Sequence, residues 1–147
     1  MSRIAVKPTL QPELFVYSFP VRVYFENTDA GGVVYHGEYL KFLERARTEW
    51  LRHLGFDHQG LARTHRSQLV VTALAIDFMK PARLDDTVSV SVRLESLGKV
   101  RCVFAQEIRR EDELLVKAKV TVASLSTEGF KPVEIPEGLK RKMEAAL

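Results

Sequence analysis

Asp29 stands two residues ahead of the Gly31-Gly32 pair, and His36-Gly37 closes the same stretch just before apolar residues at helical spacing begin at Tyr39. These residue types, close together, suit acyl-transfer chemistry. Glycine lets a backbone approach a ligand closely. A helix start presents N–H groups without intrahelical acceptors, together with the positive end of the helix dipole. Such a place receives a negatively charged oxygen. A carboxylate beside it can attack a carbonyl carbon or draw a proton from water. On the residues alone, two other readings stay open. Asp is a favoured turn residue whose side chain bonds nearby backbone N–H groups, and His36 can simply lead into the helix.

The elements that must position these residues are legible as periods. Tyr39, Leu43, Ala46, Trp50 and Leu54 recur at steps of three and four, as do Leu40, Leu43, Arg47, Leu51 and Leu54, which predicts a helix over about Glu38 to Leu54. Its apolar face is broad, so the helix should be largely enclosed. Gly55 sits where a C-cap glycine belongs, with Arg52 and His53 in the last turn. Phe15 to Phe25 reads as a strand, with Pro20 marking a bulge or an edge position. Four more strands follow at Leu69 to Phe78, Val88 to Leu94, Val100 to Ile108 and Leu114 to Leu125. Turns are predicted at Gly98-Lys99 and Glu111-Asp112, and a short amphipathic helix from Pro136 to Leu147. Residues 1–13, with Pro8 and Pro12, are expected to be a loose arm. The order is strand, long helix, then four strands in meander-like succession. Short turns imply an antiparallel sheet. Helix and sheet each need the other as cover, which predicts one α+β domain over residues 1–147, its sheet curved around a central helix.

Composition narrows the function classes. A chain of 147 residues is one domain and buries about 68–70% of its unfolded surface without a disulfide or metal. The single cysteine, Cys102, has no partner for an internal disulfide or a thiolate metal site; it is expected to be a half-buried strand residue in a reducing cytoplasm. Lys7 and Pro8 interrupt any apolar leader segment, and no window approaches the ~18 apolar residues of a membrane span. The net charge of +3 comes without a Lys/Arg run of the kind that marks nucleic-acid tails, which argues against a nucleic-acid partner. Scattered positive charge suits a small ligand carrying several phosphates, and equally an ordinary solvated surface.

The stretch Thr28-Asp29-Ala30-Gly31-Gly32-Val33-Val34-Tyr35-His36, followed by Tyr39, Leu40 and Phe42-Leu43-Glu44-Arg45-Ala46-Arg47, closely resembles the signature of the 4-hydroxybenzoyl-CoA thioesterase branch of hotdog enzymes. Within that branch it looks most like the acyl-CoA thioesterases associated with the bacterial Tol–Pal envelope system. The block Lys80-Pro81-Ala82-Arg83-Leu84-Asp85-Asp86 resembles the same group, and the similarity runs from about Val21 to Pro132. It implies a hotdog fold, a five-stranded antiparallel sheet wrapped around the long helix. It implies hydrolysis of acyl-coenzyme A without a metal or other cofactor. Asp29 matches the family's catalytic aspartate, as nucleophile or as general base. Backbone N–H groups near His36 and Gly37 match the donors that polarise the thioester carbonyl. His36 matches a histidine that binds substrate or orients water, and Tyr35 falls among the substrate-binding positions. One departure is Asn27, where the family more often has an acid.

A thioester needs little activation. Its carbonyl is electrophilic and its thiolate leaves readily; an aspartate with an ordinary pKa near ~3.9 is already ionised at neutral pH. Arg83, Lys99 and Arg101 are candidates for the coenzyme A phosphates, each also a plausible plain surface residue. Glu44, two turns into the helix, is a rival carboxylate; its plain reading is a local ion pair with Arg45 or Arg47. The resemblance further implies a homo-oligomer, a dimer or a dimer of dimers, for which open strand edges give a physical reason. An envelope or lipid-synthesis protein partner follows by analogy only. Rival functions are a thioesterase for aromatic acyl-CoA or acyl carrier protein, and a non-catalytic acyl-binding or partner-binding module. The pattern of the hotdog dehydratases is absent.

Overall fold

The structure, a computed structural model, describes residues 16–147; the arm predicted over residues 1–13 lies outside the described residues. The elements are β1 (Tyr17–Arg22), α1 (Glu38–His53), α2 (His58–His65), β2 (Ser67–Phe78), β3 (Thr87–Leu97), β4 (Arg101–Arg110), β5 (Glu113–Ser126) and α3 (Glu137–Ala145), with a 3-10 turn at Phe25–Asn27. The five strands form one sheet in the order β1-β3-β4-β5-β2, antiparallel at every pairing. This corrects the expected meander. Only β3, β4 and β5 follow one another; β2 pairs with β5 at one edge, and β1 pairs with β3 at the other. Pro20 is tolerated because β1 has a neighbour on one side only.

The core follows from the alternation. Val88, Val90, Val92 and Leu94 of β3 are buried, as are Cys102, Phe104 and Ile108 of β4 and Val116, Ala118, Val120 and Val122 of β5. Against this face α1 buries Tyr39, Phe42, Leu43, Ala46, Trp50 and Leu51. The indole of Trp50 meets the ring of Phe104 edge-on at 5.1 Å, a favoured aromatic geometry. Burying each such side chain contributes roughly 1.5–3 kcal/mol. Leu40, expected on the enclosed face, is 41% exposed. Gln106 carries a polar side chain into the core: its amide donates to the carbonyls of Leu43 (3.1 Å) and Ser91 (3.2 Å) and accepts from Arg47 Nη1 (2.8 Å). Those bonds are what make its burial tolerable.

Two helices complete the domain. α3, predicted from Pro136, packs by Leu139 and Met143, both buried. α2 is absent from the sequence reading. Only Leu61 of its eight residues is buried, too little apolar pattern to register as a period. Its start signal was nonetheless readable: Asp57 caps it, the carboxylate accepting from Gly60 N at 2.6 Å. Cys102 is buried rather than half-buried.

Candidate active site

Residues 28–37 form a tight loop clipped to two neighbours. Thr28 pairs with Val34, and Val33 pairs with Arg83. Asp29 N donates to Val33 O (2.9 Å), Gly32 N to Asp29 O (3.0 Å), and Val34 N to Ala82 O (2.9 Å). Gly32 has φ +82°, a left-handed conformation that glycine adopts without a steric penalty. The 80–86 block therefore buttresses the loop.

Asn27 is the internal brace. It is buried; its carbonyl accepts from Tyr35 N at 2.9 Å. Its side-chain Oδ1 accepts from Tyr24 N (2.7 Å), and its Nδ2 donates to Glu38 Oε1 (2.7 Å). An amide does both at once. An aspartate here would set a second carboxylate against Glu38, so the departure from the family pattern is matched to its neighbour. The Asn27 bond, followed by those from Lys41, holds the Glu38 carboxyl below its usual pKa range.

Asp29 is exposed, and its Oδ1 accepts from Gly31 N at 2.8 Å. The turn reading is thus correct as far as it goes: one oxygen is fixed by the local backbone. That bond also orients the carboxylate. Eight residues on from Asp29, Gly37 is the N-cap of α1, and no side chain among the described residues caps it. Among the described residues, the N–H groups of His36 and Gly37 meet no backbone acceptor. The ring of His36 lies 4.4 Å from that of Tyr35 and 6.3 Å from that of Phe78. Tyr39 touches Phe78 at 5.6 Å and its hydroxyl accepts from Ala82 N at 3.0 Å. Burial pushes the Tyr39 phenol up, with the charge of Asp29 a smaller contribution in the same direction.

Asp29, Tyr35, His36, Gly37 and Arg83 are therefore gathered around one loop and helix start. Lys99 and Arg101 are not. Arg101 pairs with Ala123 of β5, whereas Phe78, beside His36, pairs with Val116. Seven residues of strand separate the two rows, about 23 Å. Within one chain these two cations stand at the far end of the sheet. Among the described residues no close ion pair joins Glu44 to Arg45 or Arg47, although the Glu44 charge acts on the Arg47 guanidinium; Arg47 bonds to Gln106. The Cys102 thiol is pushed up to about 12 by burial, which leaves no thiolate for nucleophilic chemistry.

The family model described as Thioesterase superfamily matches residues 31–117. The chain belongs to that superfamily. It is 46% identical over 124 residues to the acyl-CoA thioesterase YbgC of Haemophilus influenzae, covering 84% of this chain and 91% of that one. It is 42% identical over 125 residues to the acyl-CoA thioester hydrolase YbgC of an Escherichia coli strain, with 84% and 92% covered. A probable thioesterase from Bartonella henselae superposes with a TM-score of 0.80 at 37% identity, over 82% of this chain and 99% of that one. The hotdog architecture expected from the sequence is the one observed. Among the described residues, no helix of this thioesterase is long and apolar enough to cross a membrane.

Proposed function

We propose that this chain hydrolyses acyl-coenzyme A to the free acid and coenzyme A at the Asp29 loop. The observation that carries the proposal is the pairing of an exposed, oriented carboxylate with a helix start that no side chain caps. The thioester oxygen takes the His36 and Gly37 N–H groups, where the helix dipole favours developing negative charge. The second oxygen of Asp29 then acts in one of two ways. It attacks the carbonyl carbon, expelling the thiolate and leaving an anhydride that water opens; or it takes the proton of a water that attacks the carbon. Single turnover in ¹⁸O-water tests the first route, because label enters the Asp29 side chain only when water opens an anhydride at the Asp29 carbonyl. His36, braced by the Tyr35 ring, borders the same space and binds substrate there; Arg83, on the adjoining block, offers charge to a coenzyme A phosphate.

The test is thiol release from a panel of short, long and aromatic acyl-CoA thioesters by the native protein and Asp29→Asn. The native protein turns over and the variant loses about 10²–10⁴ in rate, with an unchanged far-ultraviolet spectrum. No turnover on any thioester, including a carrier-protein-linked one, would replace the enzyme with a binding module.

The proposal extends to assembly. β2 is an edge strand and exposes Val71, Leu74 and Phe78, so it has open hydrogen-bonding groups and apolar side chains to offer a second copy. Antiparallel pairing of two β2 edges would carry the partner subunit's Lys99 and the partner subunit's Arg101 towards the Asp29 loop, giving those cations a route to the coenzyme. A purely monomeric species in sedimentation at micromolar concentration refutes this. The motif resemblance extends the reading to a cytoplasmic enzyme, a dimer or dimer of dimers, working beside the Tol–Pal system; co-purification at native expression levels tests it.

A further inference from the structure

The segment 79–86, against which the Asp29 loop is clipped, is held in two different ways. Its ends are pinned by backbone. Met79 N and Lys80 N donate to Leu115 O (2.8 and 3.2 Å), Val23 N donates to Asp86 O (2.8 Å), and Asp85 N donates to Val23 O (3.0 Å). The middle, Pro81 to Arg83, is the part that meets the loop, through Val34 N on Ala82 O (2.9 Å) and the Val33–Arg83 bridge. Apart from the turn bond from Asp86 N to Arg83 O (3.1 Å), its other bonds among the described residues come from side chains. The buried Tyr39 hydroxyl accepts from Ala82 N at 3.0 Å. Arg110 Nη1 donates to Pro81 O (3.2 Å) and to Asp86 Oδ2 (2.8 Å), and the same Asp86 oxygen accepts from Arg83 N at 2.9 Å. Arg110 Nη2 anchors on Glu113 Oε1 at 2.6 Å, whose other oxygen takes Lys80 Nζ at 2.9 Å.

We infer that Tyr39 and Arg110 are positioning residues for the thioester reaction: through Pro81 to Arg83 they set where Asp29 stands relative to the α1 start. The inference rests on the thioesterase reading above. A carboxylate and an oxyanion seat cooperate only at a fixed separation, and a displacement of about 1 Å costs on the order of 10²-fold in rate. Tyr39 lies in the first turn of α1, so its hydroxyl ties the segment to the helix that carries the donors. Arg110 ends β4 and ties the same segment to the sheet. The planar guanidinium fork reaches a carbonyl and two carboxylates at once, which the single ammonium of a lysine does not match. After burial and the Ala82 bond, the charges of Arg110, Asp29 and Asp86 all act on the Tyr39 phenol; the hydroxyl is within electrostatic reach of both the brace and the reacting carboxylate. Arg109, one residue earlier on β4, bonds instead to Glu107 Oε1 (2.9 Å) and Asp112 O (3.0 Å).

The test reads rate and local opening together, on the full chain. Arg110→Met keeps the stem and removes the fork; Tyr39→Phe keeps the ring and removes the hydroxyl; Arg109→Met is the control. The substrate is the acyl-CoA thioester that the native protein turns over fastest, and the folded fraction of each variant is fixed from its urea curve. Per folded molecule, kcat falls about tenfold to hundredfold in the first two with KM changed less than about threefold, and stays within about twofold in the control. Arg110→Lys, which keeps a charge for Asp86, recovers part of the loss. In an Asp29→Asn background the same substitutions cost less than about threefold, because no carboxylate remains to be aligned; a loss of folding would carry over in full. Amide exchange is the second readout: the Val34 N–H exchanges at least about tenfold faster in both variants, while that of the buried Val120 on β5 changes far less. Rates equal to the control's, an equal loss with and without Asp29, or unchanged Val34 exchange overturns the inference. Faster Val34 exchange in the variants of a protein whose native form hydrolyses no thioester would sink the enzyme reading and leave the brace as architecture alone.

Discussion

The two helices that follow one another in the middle of the chain begin in opposite ways. At α2, the carboxylate of Asp57 accepts from Gly60 N at 2.6 Å and closes the helix start on itself. At α1, the N-cap is Gly37, which offers no side chain to close the helix start, and the preceding acid, Asp29, is bonded to Gly31 within its own loop. In sequence both are aspartates ahead of a helix. One is satisfied by the helix it starts. The other is held apart by the 28–37 loop, so that carboxylate and helix donors both remain available to a third party. That separation distinguishes a structural cap from a reactive pair.

The largest effect should come from removing a donor at α1. Gly37 has φ −68°, which proline also adopts, so Gly37→Pro deletes the N–H while keeping the backbone angle. We expect kcat to fall about 10²–10³-fold. Gly37→Ala is the control: its Cβ meets the exposed ring of Tyr35 at 3.0 Å, which must shift slightly, but the N–H is kept. Equal rates in the proline and alanine variants would place the oxyanion donors elsewhere.

Removing the cap at α2 should do the reverse. Asp57→Ala is expected to cost about 0.5–2 kcal/mol of stability, read from the urea midpoint, with kcat retained on acetyl-CoA. A large loss of rate at unchanged stability would erase the contrast between the two helix starts.

A smaller effect concerns the brace behind the loop. The Glu38 carboxyl titrates below its usual range, chiefly because Asn27 donates to it. A depressed folded pKa stabilises the fold fully above the unfolded value near ~4.3 and loses that contribution as pH falls through the folded value. Glu38→Gln should therefore lower stability slightly at neutral pH, match the native protein at acid pH, and so flatten the acid limb of the stability profile. An identical acid limb in both proteins would show that the Asn27–Glu38 bond carries no charge-dependent stability.

The smallest effect separates open donors from orphaned ones. Among the described residues, Ser67 Oγ and Ser124 Oγ are buried without a hydrogen-bond partner, unlike the free N–H groups at α1, which border solvent. Ser124→Ala removes an unsatisfied group and should be neutral or stabilising by up to about 1 kcal/mol. Clear destabilisation in thermal melts would mean that the hydroxyl has a partner such as an ordered water.

Much of the fold was legible because its signals are local. The period-two runs of β3 and β5 and the three-four spacing of α1 each record a single interface, core on one side and solvent on the other. α2 escaped because one buried leucine leaves no period. The helix start at Gly37 and the acid at Asp29 were visible as residue types, and the loop that joins them was visible in its glycines. The bracing role of Asn27 was not, because its partner Glu38 lies eleven residues away and only the folded loop brings them together. Lys99 and Arg101 were grouped with the site on charge alone; strand register puts them at the other end of the sheet.

By itself, the sequence determined that this protein is one α+β unit with a long enclosed helix, and its motif identified Asp29 and the α1 start as the chemistry to test. These depend on periods and short spacings, which hydrophobic burial and backbone hydrogen bonding read locally. Tertiary structure alone decided that β2 crosses to the far edge beside β5, and that Asn27, Glu38 and the 80–86 block meet around the Asp29 loop. Strand order is set by which pairing buries the most surface across the whole sheet, and no local window of residues contains that information.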